Sequence, residues 1–258
     1  MSNNNLAQMG SAQVFIEQFR GAPCIRKQGA GEVEISFYQD AAQHLSGVHS
    51  PTLLAVEGDT LFIEHIPHSL TPNELQTTSE VYQQLSHIHR SLYSPNFKVK
   101  EHSWSTIDTE AALASLNLPE VTQDSLLHIQ KFSDALFNHN TLVSGDTNLG
   151  NWGKRDNSQI VLFDWERFGY GSPAIDLAPL VSQMGTLSDY ECIVDQYLPH
   201  NNLVSREDLI RQLIIAKSWI VVEVTNLLVT RDISDASKYL EWYRKRLPTW
   251  LTTVEGQL

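Results

Sequence analysis

From Leu6 to Ile66 the polar and apolar positions mostly follow the two-residue period of strands, and after that the chain becomes mainly helical. Val14 to Phe19 alternates as V-F-I-E-Q-F, which predicts a half-buried strand. Arg20-Gly21-Ala22-Pro23 reads as a turn before a second strand at Cys24-Ile25-Arg26-Lys27. A helix follows in G-E-V-E-I-S-F-Y-Q-D-A-A-Q-H-L, and Thr52–Val56 with Thr60–Ile66 forms a hairpin turning at Glu57-Gly58-Asp59. Pro67 and Pro72 mark a boundary, after which Thr71 as N-cap and Pro72 at the first helical position start a helix running to about Ser91. Ser94-Pro95-Asn96 breaks the chain, and further helices are expected near Ile107–Ser115 and Gln123–Asn138. Later helices are expected from Asp176 (D-L-A-P-L-V-S-Q-M), near Asp189–Tyr197, from Ser205 to about Thr230, and from Ser234. Ser205 with Asp208 three positions on has the spacing of a capping box. The pattern contains no internal repeat and no low-complexity tract.

One stretch, Leu142 to Leu180, departs from simple periodicity. Asp146 is followed by Asn151 five positions on and Asp164 thirteen further, with the branched apolar run Gln159–Phe163 between the last two. That run reads as a buried strand delivering Asp164 at its end, while Asp146 and Asn151 sit on a loop set by Gly145, Gly150 and Trp152. Two carboxylates and an amide converging make an oxygen-rich site suited to Mg²⁺. Phosphoryl transfer uses such a set, one carboxylate facing the attacking hydroxyl while an Asn and a second carboxylate hold metal on the nucleotide phosphates.

Ser144-Gly145-Asp146, Asn151, Phe163-Asp164-Trp165-Glu166 and Gly171-Ser172-Pro173-Ala174-Ile175-Asp176-Leu177-Ala178 resemble the core of the aminoglycoside phosphotransferase and choline kinase family. That family typically reads H-G-D-x-x-x-x-N, then I-D-W/F-E, then G-x-P-x-x-D-L-A. The departure is Ser144, where the family usually carries a His that braces the loop. The resemblance implies an α+β, bilobal protein-kinase-like fold. A small antiparallel-sheet N-lobe with one helix (residues 1–66) would bind nucleotide. A larger, mainly helical C-lobe (67–258) would hold the catalytic loop and the acceptor.

By the same resemblance Asp146 is the catalytic base, Asn151 and Asp164 are metal ligands, and Ser144 and Asp176 are structural. Met9-Gly10-Ser11-Ala12 stands where a nucleotide loop belongs, with Gly10 and Ser11 as its small residues, although G-x-G-x-x-G is absent. A kinase also needs a cation paired with a helix Glu. Strand alternation lets only one of Arg26 and Lys27 face the cleft, and the resemblance favours Lys27. Its partner in E-x-x-F-Y is Glu34, with Glu32 the alternative. L-F-I-E-H-I-P resembles the family's hinge, so Glu64, His65 and Ile66 would line the nucleotide pocket through main chain. His87 and His89 flank Ile88 and cannot share one helical face as a metal pair, so His89 reads as structural.

Thirty acidic against eighteen basic residues in 258 give a net charge of −12, which counts against nucleic acid as a partner. Cys24 and Cys192 form no metal or disulfide pattern and suit a reducing compartment. The uncharged start M-S-N-N-N-L-A-Q is no signal peptide, and no apolar run reads as long enough to span a bilayer, so the expected location is cytoplasmic. About eight residues separate Asp164-Trp165 from the helix near Pro173, and A-P-E is absent. Without a peptide-docking activation segment, the acceptor is expected to be a small molecule. Mg²⁺ and ATP or GTP are the expected cofactors. Glu166 and Glu223, the latter inside the apolar run Ser218–Val229, are the acceptor-site candidates, and the acidic excess points first to a cationic amino-alcohol or aminoglycoside. The alternatives are a pseudokinase that binds nucleotide without turnover and a Mg²⁺-dependent phosphohydrolase.

Overall fold

The computed structural model describes residues 12–231 and 236–258. The chain folds into two compact units, Met1–Glu101 with Thr141–Tyr170, and His102–Asn140 with Gly171–Leu258. The first unit is built on an antiparallel sheet of β1 (Gln13–Phe19), β2 (Ala22–Gln28), β3 (Leu53–Glu57) and β4 (Thr60–Glu64), in the order β1-β2-β4-β3. Phe19 pairs with Ala22, so the connecting turn is only Arg20-Gly21. Both residues have positive φ (51° and 86°), the backbone that matches the twist of a two-residue hairpin. Ala22 and Pro23, expected in the turn, therefore belong to β2, where Pro sits near the strand's first residue. β2 is hydrogen-bonded on both sides, to β1 and β4, and it carries Lys27.

The expected helix after β2 is present with a local expansion. It is α-helical over Glu32–Ser36, π-helical over Phe37–Ala41 and α-helical again over Ala42–His44. The wider turn still turns Phe37, Tyr38 and Ala41 inward with Glu34. The helix expected from Pro72 to about Ser91 is two helices, Pro72–Thr77 and Ser79–His89. Thr71 and Glu74 make a reciprocal capping box at the start. Thr78 leaves the helical region (ψ 116°) in a Thr-Thr-Ser run whose hydroxyls compete with helical hydrogen bonds, and Tyr82 Oη donates to the freed carbonyl of Gln76 at 2.6 Å.

Five short strands complete this unit: β5 (His68–Ser69), β6 (Leu142–Val143), β7 (Trp152–Lys154), β8 (Ile160–Leu162) and β9 (Gly169–Tyr170). β7 and β8 form a hairpin with β5 alongside, and β6 pairs with β9. The apolar run expected as a strand supplies β8, all three of whose residues are buried.

The second unit is helical. Thr106–Leu116 is capped by a Ser105–Asp108 box and ends at Asn117 in the left-handed region. Glu120–Gln130 and Asp134–Phe137 replace the single helix expected to Asn138. The helix at Asp176 spans only Ala174–Leu177 and a 3₁₀ turn, Ala178–Leu180, because Pro179 has no N–H with which to continue the ladder. Leu187–Tyr197, Arg206–Thr230 and Ala236–Val254 follow, and Ser234 lies outside the described residues.

The 25-residue Arg206–Thr230 helix corrects the expectation that no apolar run is long enough to cross a membrane, since its mean hydropathy reaches 1.6 over 18 residues. Of that window 61% is buried inside the protein, packed against the Thr106–Leu116, Glu120–Gln130 and Leu187–Tyr197 helices. It is the core helix of the unit.

Lys217 lies in this helix, buried, with Nζ donating to the Val181 carbonyl at 2.8 Å. Burial pushes its amine down to about 7. The folded value is below the unfolded one, so charge burial costs stability in full below pH 7, and the cost fades as pH rises toward the unfolded value of 10.5. Lys217→Met, which keeps the volume, is expected to raise the melting temperature at pH 6–7. That advantage should shrink steadily up to pH 10 in melts followed by circular dichroism, as the burial cost of the Lys217 charge fades and the loss of the donor to the Val181 carbonyl, about 1–3 kcal/mol, is left.

Candidate active site

The centre of the first unit is a buried ammonium. Lys27 Nζ lies 2.7 Å from Glu34 Oε2 and 2.6 Å from Asp164 Oδ1. Lys27 and Glu34 are buried, whereas the Asp164 side chain is 35% exposed and can reach a ligand. Burial disfavours the Lys27 charge, and the adjacent Glu34 and Asp164 carboxylates overcome that, raising its pKa. Burial raises Glu34 against the opposing pull of Lys27. The neighbouring Arg26 turns the other way, donating to Glu17 at 2.8 Å and lying over the Phe15 ring. Strand alternation left that choice open, and the geometry places Lys27 with the carboxylates. Glu32 is exposed. Phe37, one helical turn beyond Glu34, stacks on Trp165 at 3.9 Å and 9°, so one aromatic contact ties the Glu34 helix to the residue after Asp164. Asp164 itself has φ +64°, a left-handed conformation that few residues other than Gly adopt, Asn and Asp more readily than most, and that clusters at functional positions.

The loop after β6 supplies the other polar groups. Asn148 Nδ2 donates to Asp146 Oδ1 at 2.7 Å, and Asn148 Oδ1 accepts from Gly150 N at 2.8 Å. One side chain thus holds both the Asp146 carboxylate and the 3₁₀ turn Leu149–Asn151. Asn151 Nδ2 donates to the Asp146 carbonyl at 3.0 Å, which commits its amide nitrogen and leaves Oδ1 as the atom that could face a ligand. Phe163 N donates to the Asn151 carbonyl at 2.9 Å, linking the two candidate metal residues through the hairpin. Burial raises the Asp146 carboxyl, with the Arg167 guanidinium and the Asn148 amide opposing it. Ser144 is fully buried just before this loop.

No family model matches the chain, and no curated protein resembles it closely enough in sequence to count as a match. Solved structures do match in fold. A choline/ethanolamine kinase family protein from Mesorhizobium loti superposes with a TM-score of 0.69 at 16% identity, over 98% of this chain and 91% of that one. The choline kinase LicA from Streptococcus pneumoniae gives 0.65 at 18% identity, over 98% and 93%, and LicA is also solved in complex with AMP. The macrolide 2'-phosphotransferase MphH from Brachybacterium faecium gives 0.63 at 12% identity, over 91% and 89%. This is the kinase-like fold of the choline kinases and antibiotic phosphotransferases.

Within the kinase-like fold the remaining expected residues fall as follows. Gly10 and Ser11 lie outside the described residues. The Glu64 N–H is used in the sheet, donating to the Thr52 carbonyl at 2.9 Å. Its carboxylate takes a two-pronged bond from Arg155 at 2.7 and 2.6 Å, which holds it below its ordinary pKa. His65 and Ile66 follow, half-buried. Glu166 is half-buried beside the Lys27 cluster, near enough to act on Glu34. Asp176, fully buried, and Glu223, half-buried, both belong to the second unit. Sequence reasoning missed Asn148, Arg155 and Arg167. Asn148 was legible as an Asx-turn residue two positions after Asp146, whereas the partners of Arg155 and Arg167 are distant in sequence.

Removing Lys27 strands Glu34 as an unpaired buried carboxylate. Lys27→Met is expected to destabilise the chain by about 3–5 kcal/mol, and Lys27→Met/Glu34→Gln should recover most of that loss. Urea denaturation of the two single variants and the double variant measures the coupling.

Proposed function

We propose that this chain is a Mg²⁺-dependent phosphotransferase that moves the γ-phosphoryl group of ATP to a hydroxyl of a small molecule. The observation carrying this is the Lys27 ammonium shared by Glu34 and Asp164, on the same unit as Asp146 and Asn151. A fixed cation on a central strand suits the α/β-phosphates. A side-chain oxygen of Asn151 and the half-exposed Asp164 carboxylate suit Mg²⁺, which takes few protein ligands and completes its shell with phosphate and water. Among the described residues no group of three His, Cys, Asp or Glu gathers as a dedicated metal cage, and such a shell needs none. When bound, the ion supplies charge neutralisation at the β- and γ-phosphates.

The chain's own residues do the rest in this reading. Lys27 orients the phosphates, and Asp146 accepts the proton of the acceptor hydroxyl as its oxygen bonds to the γ-phosphorus and the β–γ bridging P–O bond breaks. Burial, which lifts the Asp146 carboxyl, favours that proton transfer. Residues 1–66 serve as the nucleotide-binding lobe in this reading, with Gly10 and Ser11 assigned to the phosphates and the main chain of Glu64, His65 and Ile66 to the base. Residues 67–258 carry the catalytic loop and the acceptor-site candidates in this reading. The AMP complex of LicA favours an adenine nucleotide over GTP. The choline and ethanolamine kinases among the structural neighbours, with the net charge of −12, favour a cationic amino-alcohol as acceptor, and Glu166 and Glu223 stand as separate candidate carboxylates for its ammonium. We place the enzyme in the cytoplasm. Ser144, a departure at the loop, is what favours the second reading, a nucleotide-binding module without turnover.

Incubation with Mg-ATP and a panel of amino-alcohols, aminoglycosides, sugars and nucleosides is expected to add one phosphate to a cationic alcohol, read by mass. Metal-dependent ATP binding with no product in any arm selects the nucleotide-binding module. Asp146→Asn should lower turnover by about 10²–10⁴-fold with Mg-ATP affinity retained. Asp164→Ala should weaken Mg-ATP binding itself in calorimetry, and a mutant with unchanged metal-dependent affinity would remove Asp164 from the ligand set.

A further inference from the structure

We infer that Arg167 is the positioning residue that holds the catalytic loop, and with it Asp146, in register with Asp164. The inference rests on Asp146 acting as the base of the phosphotransferase proposed above. Arg167 Nε donates to the Gly145 carbonyl at 3.0 Å, and that carbonyl belongs to the peptide bond leading into Asp146. The contact is tight on both sides. A Cβ placed on Gly145 would lie 2.3 Å from the Arg167 carbonyl oxygen and 2.8 Å from its Cβ, and Gly145 has φ +84°. Only glycine lets the two backbones approach this closely at that conformation, so the loop is pressed against Arg167 and bonded back to it.

Arg167 is itself held rigidly. Trp165 and Phe168 on either side are fully buried, Trp165 stacked on Phe37 and Phe168 edge-on to the same ring. The Phe168 carbonyl accepts from Lys100 N at 2.8 Å. Two residues after Arg167, Gly169 pairs with Val143, immediately before Ser144. The loop's entry strand and the segment after Asp164 are therefore joined at two neighbouring points, the β6–β9 pair and the Arg167–Gly145 bond. Arg167 also places a cation near the Asp146 carboxylate, where its field favours the ionised form. This matters at a loop where the residue before Gly145 is Ser144, which carries only a hydroxyl. Asn148 holds the carboxylate from one side, and Arg167 fixes the peptide from which it projects.

Such a residue should govern the rate and leave donor binding alone, since displacing a reacting group by about 1 Å can cost about 10²-fold. The test compares wild type, Arg167→Met and Arg167→Lys in two measurements. Hydrogen exchange read by mass spectrometry on peptides covering 142–151 should be about tenfold faster in Arg167→Met, with the β1–β4 sheet unchanged, since local opening has its own free energy. Steady-state kinetics with Mg-ATP and choline as the probe acceptor should show kcat lower by about 10–100-fold with KM for Mg-ATP within about twofold. Arg167→Lys keeps the charge without the Nε donor, and should recover part of kcat while the loop still exchanges fast. It also replaces Arg167→Met if that variant exchanges globally. Unchanged loop exchange overturns the inference, and so does a loosened loop with wild-type kcat. If wild type transfers phosphate neither to choline nor to any acceptor of the panel above, the phosphotransferase reading fails, while the exchange measurement still decides whether Arg167 braces the loop.

Discussion

Everything around the candidate site depends on one buried positive charge. Taking an ammonium out of water costs several kcal/mol, and carboxylates repay this only at close range. Lys27 meets that condition with two of them at 2.6 and 2.7 Å. To do so, β2 must lie centrally in the sheet, the helix behind it must turn Glu34 inward, and a residue 137 positions away must arrive at the end of a hairpin. A displacement of any one element leaves a charge buried and unpaired. The Phe37–Trp165 stack supplies the apolar part of the same junction, and the π-helical turn over Phe37–Ala41 accommodates that ring beside Tyr38.

The hairpin that brings Asp164 to Lys27 is fastened along its length. β7 pairs with β5, so the chain just after Ile66 is tied to the strand that follows Asn151. Leu162 N donates to the His49 carbonyl, and Gln84 bridges His49 N to the Ile160 carbonyl. Arg155, at the tip, forks onto Glu64 and reaches the Ser50 carbonyl as well. Charge-assisted, two-pronged bonds of this kind fix orientation as well as distance. Glu64 ends β4, so the segment expected to meet the nucleotide base and the hairpin expected to meet its metal share a rigid link. Gly153 permits the close packing, because a Cβ there would lie 2.7 Å from Ile66 and 2.9 Å from the His68 carbonyl.

Much of this was legible in the residues. The alternation of Val14–Phe19, the capping spacings at Thr71 and Ser205 and the strand before Asp164 are local patterns, and the elements they announce are present. The resemblance carried by Ser144–Asp146, Asn151, Phe163–Glu166 and Gly171–Ala178 implied the kinase-like fold that the solved structures share. Where local reading erred, a particular competitor prevailed. Thr78 and Pro179 ended helices whose apolar period continued past them. The paired strands β5, β6, β7 and β9, two or three residues each, are too short to show a period at all. The long apolar helix is told from a membrane span only by what packs on it.

The sequence by itself determined the chemical inventory and the local elements, because side-chain type, backbone propensity and period act between residues a few positions apart. Strand alternation alone did not separate Arg26 from Lys27, since it says only that they face opposite sides, and the preference for Lys27 came from the family resemblance. The tertiary structure decided between them by placing Glu34 and Asp164 on one side and Glu17 on the other. The same holds for Arg155 with Glu64, 91 positions apart, and for Arg167 with Gly145, 22 apart. An arginine's partner depends on which distant backbone or carboxylate folding brings within about 3 Å, and no local pattern encodes that distance.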